Sequence, residues 1–170
     1  LMAATLAQGE TVRRNCALEP EVVNLCELLV KRGAKIDGIG TEVIRIRGVK
    51  ELGGATHEII PDRIEAGTFL VAGALSQSDI TLANVDPGHL TSVTERLTFS
   101  GANIEATDAQ TLRVVGSSEI KPQDITTSPY PGFPTDMQAQ FMVLMTQASG
   151  ISIITETIFD RRFSHVNELL

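Results

Sequence analysis

The residues best suited to chemistry stand at the start of an apolar helix, directly behind a stiff loop. Three prolines and a glycine fill residues 129–134 and keep the backbone extended and turning. Thr135 then has the type and position of an N-cap, and Gln138 completes a capping-box pattern. The helix predicted to follow ends at Gly150 and carries apolar residues at helical spacing, namely Met137, Phe141, Leu144, Met145 and Ala148.

Asp136 falls in the first turn of this helix, where two interpretations are open. The N–H groups at a helix start carry partial positive charge, so the aspartate could simply help to cap the helix. Alternatively, the stiff loop could hold its carboxylate in place for binding or proton transfer. A second capping-box pattern, Asp62 followed by Glu65, has the same two interpretations, a helix start or a substrate-facing group.

Three stretches of the sequence are distinctive, namely PGFPTDMQAQF at 131–141, PDRIEAGTF at 61–69, and TETIF at 155–159 through Arg162 and Phe163. Together they resemble the family of UDP-N-acetylglucosamine enolpyruvyl transferases, and the first stretch is the most specific. The resemblance extends over essentially all 170 residues. It implies transfer of the enolpyruvyl group of phosphoenolpyruvate to the 3′-hydroxyl of UDP-N-acetylglucosamine, with release of phosphate, in the first committed step of peptidoglycan synthesis.

The resemblance also implies roles for individual residues. It makes Asp136 the sugar-contacting aspartate and general base, with Thr135 beside it as a substrate-binding residue. The backbone of Ile158 would bind the uridine-diphosphate sugar, and Arg162 would lie near the phosphoenolpyruvate site. For Arg162 a surface ion pair is the alternative. No metal or other cofactor is implied.

The implied fold is α/β, built from repeated βαβαββ-type units that form two lobes, each an inside-out α/β barrel with substrates bound between them. Residues 1–60 would be part of the first lobe and 61–170 part of the second, so the barrel fold is truncated at both ends. The family's loop cysteine or aspartate, its early lysine and several arginines have no counterpart. We therefore expect a fragment that is inactive alone.

Internal repetition supports an α/β fold independently of the resemblance. Residues 5–12 align with 74–81 and again with 145–152, and residues 32–36 align with 100–104. Each unit is predicted to run helix, strand, helix, strand, strand. The predicted strands are 11–15, 35–37, 43–47, 56–60, 80–84, 102–106, 112–115, 125–127 and 151–155, and the helices begin near residues 1, 20, 62, 86, 135 and 162.

Composition limits the remaining function classes. The net charge of −7 and the absence of a basic patch argue against a nucleic-acid partner. No apolar run approaches the roughly 18 residues that span a bilayer, and two cysteines, Cys16 and Cys26, give no disulfide framework. These features predict a cytoplasmic protein whose partners are small molecules.

Two further functions remain open at this point. One is the shikimate-pathway enolpyruvyl transferase, which shares the fold and the chemistry but not the loop at 131–138. The other is a non-catalytic repeat module that uses the same fold as a binding scaffold, because a fold alone does not fix function.

Overall fold

The chain divides into two compact units. The computed structural model describes all 170 residues and separates Leu1–Ile60 from Pro61–Leu170. The division falls after residue 60. That the two units are parts of the two lobes of an enolpyruvyl transferase stays a prediction.

The first unit is a three-stranded antiparallel sheet with one long helix. Alternation in VIRIR buries Ile44 and Ile46 and leaves Arg45 and Arg47 in solvent, where both lie within ion-pair distance of Glu10. The elements of this unit are a 3-10 helix Met2–Leu6, β1 Glu10–Arg14, α1 Pro20–Lys31, β2 Lys35–Asp37 and β3 Val43–Arg47. The strand order in its sheet is β1-β3-β2.

Helix α1 begins and ends where its sequence signals predict. Pro20 occupies its first turn, and Gly33 follows its end with a φ of 103° that suits glycine. Cys26 projects from α1 into the core of this unit and is fully buried. Burial raises the pKa of its thiol, so Cys26 packs as a small apolar residue.

The second compact unit contains a second copy of this design and the beginning of a third sequence repeat. Its elements are α2 Arg63–Leu75, β4 Asp79–Ala83, a 3-10 helix Pro87–Leu90, α3 Thr91–Phe99, β5 Asn103–Asp108, β6 Thr111–Val115, β7 Ile125–Thr126, a 3-10 helix Thr135–Met137, α4 Gln138–Met145, β8 Ile154–Thr155 and α5 Val166–Leu169. Its sheet has the order β4-β6-β5, again antiparallel throughout, and β7 pairs with β8 in a short parallel pair.

The two sheets match in register as well as in order. Arg47 lies opposite Glu10 and Lys35 in the first sheet, just as Val115 lies opposite Asp79 and Asn103 in the second. The predicted α/β fold of repeated units is therefore confirmed. The closed inside-out barrel stays a prediction, since a barrel cannot be seen in these units.

The prediction of a strand at 56–60 is wrong, because no strand of the first sheet pairs with this segment. This segment is held from the side, where the Glu58 carbonyl accepts a hydrogen bond from Asn24 Nδ2 at 3.3 Å. The strand predicted at 151–155 shrinks to Ile154–Thr155. The Ile153 N–H, which could have extended the strand, donates instead to Asp124 Oδ1 at 2.7 Å.

Two helix predictions in the last segment were also wrong. Helix α4 ends at Met145 and not at Gly150, because the chain turns back and Ser149 N donates to the Ile120 carbonyl at 3.1 Å. The helix predicted from residue 162 is confined to Val166–Leu169, after a series of turns. Those turns include Arg161, which has a φ of 60°. They leave Arg162 on a connecting segment.

The core of the second unit fixes the position of the site. Helices α2, α3 and α4 bury large apolar side chains against one another, among them Leu70, Leu97 and Phe141. Phe133, from the proline-rich loop, joins this core and meets the ring of Phe141 edge to face, with centroids 5.4 Å apart. The loop is thereby anchored to the helix that follows it.

None of the helices has the length and apolar character needed to cross a membrane. No group of three or more histidine, cysteine, aspartate or glutamate side chains could hold a metal ion.

Candidate functional site

The loop that leads to the site is closed by its own backbone. Gly132 N donates to the Pro129 carbonyl at 2.8 Å, and Ser128 N donates to the Phe133 carbonyl at 2.9 Å. The peptide between Tyr130 and Pro131 is cis. With Phe133 buried, this compact turn delivers the next residues to a defined place.

The helix start after the loop differs from the predicted capping box. Thr135, Asp136 and Met137 form one 3-10 turn, and neither Thr135 nor Asp136 caps a backbone N–H through its side chain. The Thr135 hydroxyl donates to Glu156 Oε2 at 2.9 Å. Gln138 is buried and donates to the Arg162 carbonyl at 3.2 Å. Partners far along the chain therefore replace the local cap.

Asp136 and Arg162 form an ion pair at the surface of the second unit. Arg162 Nη2 donates to Asp136 Oδ1 at 2.7 Å, and Arg162 Nη1 donates to the Thr135 hydroxyl at 3.0 Å. The guanidinium also lies over the Phe159 ring, 5.3 Å from its centroid, within the range of a cation–π contact. The side chains of Asp136 and Arg162 are 53% and 38% exposed, so both can meet a ligand from solvent.

Glu156, to which the sequence analysis assigned no role, connects these groups. Its Oε1 accepts from Thr127 Oγ1 at 2.9 Å, from Ile158 N at 2.8 Å and from Phe159 N at 3.2 Å, while Oε2 accepts from Thr135. Burial disfavours the charged carboxylate, but these four hydrogen bonds outweigh it and hold the pKa of Glu156 below its ordinary value of 4.5.

The predicted site residues thus fall in one cluster. Thr135, Asp136 and Arg162 are in direct contact, and Ile158 joins them through its N–H, which is bound to Glu156. The substrate roles of all four stay predictions. Asp62, by contrast, caps α2 by accepting from Ile64 N at 2.8 Å and Glu65 N at 3.1 Å, as a helix-start residue does.

Comparison with known proteins assigns the family. The model of a protein family described as EPSP synthase (3-phosphoshikimate 1-carboxyvinyltransferase) matches residues 1–170, the whole chain. The chain belongs to this family. Among solved structures, the enolpyruvyl transferase NikO from Streptomyces tendae is similar to it, with a TM-score of 0.81 at 25% identity over 98% of this chain and 40% of that one.

The resemblance to UDP-N-acetylglucosamine enolpyruvyl transferases is confirmed by named relatives. The UDP-N-acetylglucosamine 1-carboxyvinyltransferase of Koribacter versatilis (strain Ellin345) is 55% identical over 170 residues, which are 100% of this chain and 39% of that protein. The UDP-N-acetylglucosamine 1-carboxyvinyltransferase 2 of Bacillus subtilis (strain 168) is 51% identical over 169 residues, again 39% of its length. The chain therefore spans well under half the length of these relatives.

Proposed function

We propose that the full-length protein containing this chain transfers the enolpyruvyl group of phosphoenolpyruvate to the 3′-hydroxyl of UDP-N-acetylglucosamine. The observation that carries the proposal is the identity of 55% across the whole chain with a relative named for this reaction. The product would enter peptidoglycan synthesis, and we expect the enzyme to act in the cytoplasm. Because the chain spans only 39% of that relative, the activity is proposed for the whole protein and not for this segment alone.

The reaction balances without an oxidant or a further co-reactant. The 3′-oxygen of the sugar gives up its proton and bonds to C2 of phosphoenolpyruvate, while the double-bond electron pair takes up a proton at C3. Loss of a C3 proton then restores the double bond as the bond between C2 and the phosphate oxygen breaks, and inorganic phosphate leaves with the electron pair. A base that accepts the hydroxyl proton and a cation that holds the anionic donor are two of the groups that such a transfer needs.

Asp136 is the residue we propose as that base. A general base has to come within about 3 Å of the proton it takes, which requires a fixed position. The closed loop before it and the buried Phe133 ring supply such a position. The carboxylate is half-exposed and is not used to cap the helix, so it is accessible to a substrate hydroxyl.

Arg162 is the residue we propose for contact with phosphoenolpyruvate. Its guanidinium is held by Asp136, by Thr135 and by the face of Phe159, and it can bind phosphate or carboxylate in a bidentate manner. An arriving anion would compete with Asp136 for this guanidinium. In this scheme, binding of phosphoenolpyruvate releases the carboxylate that accepts the proton. Thr135 and the backbone of Ile158 would contact the sugar nucleotide.

The test is phosphate release from phosphoenolpyruvate by the full-length protein. We expect release that depends on UDP-N-acetylglucosamine and does not occur when shikimate 3-phosphate replaces it. Release with shikimate 3-phosphate only would assign the shikimate-pathway reaction. No release with either acceptor from a folded protein would favour the non-catalytic repeat module.

A further inference from the structure

Glu156 occupies a central position among groups that come from separate parts of the second unit. Thr127 follows β7, Thr135 opens the 3-10 turn before α4, and Ile158 and Phe159 lie in the turn after β8. All four donate a hydrogen bond to the Glu156 carboxylate, and both of its oxygens are used. Thr127 is fully buried, so this arrangement is supported from beneath.

The hydroxyl of Thr135 connects the Glu156 carboxylate to the Arg162 guanidinium and so fixes the orientation of the guanidinium. A threonine hydroxyl has one proton to donate and lone pairs to accept with. Because its proton goes to Glu156 Oε2, the side of the oxygen that faces Arg162 can only accept, and Nη1 of Arg162 donates to it at 3.0 Å. The other terminal nitrogen, Nη2, is then the one that meets Asp136, at 2.7 Å.

We propose that Glu156 is a positioning residue of the transfer reaction, acting through the Thr135 hydroxyl to orient the Arg162 guanidinium against Asp136. This inference rests on the proposed function, since it concerns how Asp136 and Arg162 are held in place for that reaction. Glu156 itself need not touch a substrate. Its carboxylate already accepts four hydrogen bonds from the chain, which suits a group that orients others.

Glu156→Gln removes this orientation with little change of shape. Three donors converge on Oε1, so the amide oxygen of glutamine would take that place and its NH2 would face Thr135. The Thr135 hydroxyl would then meet two donors, the amide and Arg162, and would lose the partner of its own proton. The guanidinium would no longer have a single favoured direction, and misplacement of about 1 Å can cost on the order of 100-fold in rate.

The experiment is a double-mutant cycle in the full-length protein, measured as UDP-N-acetylglucosamine-dependent phosphate release. The variants are Glu156→Gln, Thr135→Val and the double mutant, with Thr135→Ser to restore the hydroxyl. The matched control is Asp79→Asn, since Asp79 also pairs with an arginine, Arg113, at 2.8 Å, on the edge of the second sheet. Thermal unfolding is recorded for each variant.

If Glu156 acts through Thr135, each single variant lowers kcat/KM by about 10- to 100-fold. The double mutant then stays within about twofold of the worse single variant, because both remove the same arrangement. Thr135→Ser recovers most of the activity that Thr135→Val loses, and Asp79→Asn stays near wild type. A role confined to stability would instead lower the melting temperature of Glu156→Gln and leave the kcat/KM of the folded protein unchanged.

An active wild type with an unimpaired Glu156→Gln variant, or with multiplicative losses in the double mutant, would overturn the positioning role and leave the proposed function standing. A folded wild type that releases no phosphate would overturn the proposed function and this inference with it. Should Glu156→Gln not fold, the threonine variants decide. Loss in Thr135→Val with recovery in Thr135→Ser supports the relay when the KM for UDP-N-acetylglucosamine is unchanged, because loss of a sugar contact would raise that KM. Equal activity in both variants, or a loss confined to that KM, refutes the relay.

Discussion

The contact between Phe133 and Phe141 predicts that the site's loop is anchored by the core. Phe133 is 4% exposed and Phe141 is fully buried, and their rings meet edge to face at an interplanar angle of 73°. Phe133→Leu retains an apolar side chain of similar size, a change that costs up to about 1.5 kcal/mol in a packed core. It also removes an aromatic pair worth about 0.5–1.5 kcal/mol. We therefore expect a loss of about 0.5–3 kcal/mol in the free energy of unfolding.

The assay is urea unfolding of the full-length protein, and the quantity compared between variants is the urea concentration at the midpoint of the transition. The matched control is Phe99→Leu, the same chemical change on a side chain that is 70% exposed, which should shift stability by no more than about 0.5 kcal/mol. Thr135 and Asp136 follow Phe133 closely in the chain. Phe133→Leu should therefore also lower sugar-dependent phosphate release, and Phe99→Leu should not.

Equal unfolding midpoints of the two leucine variants would refute the anchoring of the loop by the core. The interaction energy between the Phe133 and Phe141 rings can be measured by adding Phe141→Leu, alone and in combination with Phe133→Leu. A coupling energy of about 0.5–1.5 kcal/mol is expected. A coupling near zero would mean that the loop is held by its backbone turn alone.

Two further predictions concern stability. The pKa of Glu156 is depressed in the folded protein. Glu156 therefore contributes to the free energy of unfolding above its unfolded-state pKa near 4.5, and this contribution is lost as pH falls through the lower folded-state pKa. The stability difference between wild type and Glu156→Gln, from urea titrations across pH, should therefore shrink below about pH 4.5; a constant difference would contradict this. Gly48→Ala places a Cβ against a backbone carbonyl and should cost about 3 kcal/mol or more, whereas Gly54→Ala meets open space and should be nearly neutral.

Local patterns predicted the elements that depend on local interactions. The hairpin of Lys35–Asp37 and Val43–Arg47 lies where period-two alternation placed it, because both strands and their turn are close in sequence. The start of α1 at Pro20 and the cap at Asp62 were equally local. Repetition of the sequence then extended the same design to the second sheet.

The errors arose where distant groups competed with local ones. A threonine followed by a glutamine three residues later is a sound capping signal, yet Thr135 bonds Glu156 and Gln138 bonds the Arg162 carbonyl. The strand predicted at 56–60 had the composition of a strand but no neighbour to pair with. Pairing of this kind is set by the tertiary fold and leaves little trace in a short window of sequence.

Local sequence indicates four residues of the site but not Glu156. The motif at 131–141 and the stretch at 155–162 indicated Thr135, Asp136, Ile158 and Arg162, and the structure brings them together. Glu156 lay within a quoted stretch between two threonines, but its donors come from residues as far away as Thr127. Only the folded chain shows four donors meeting one carboxylate.

The most direct test of the account compares wild type with Asp136→Asn in the full-length protein, measured as phosphate released from phosphoenolpyruvate with and without UDP-N-acetylglucosamine. Asparagine retains an oxygen that Arg162 can bond but cannot act as the base. We predict sugar-dependent release by wild type that falls by about 100-fold or more in a folded Asp136→Asn. Release at the wild-type rate by the folded variant would contradict the role of Asp136 as the proton acceptor.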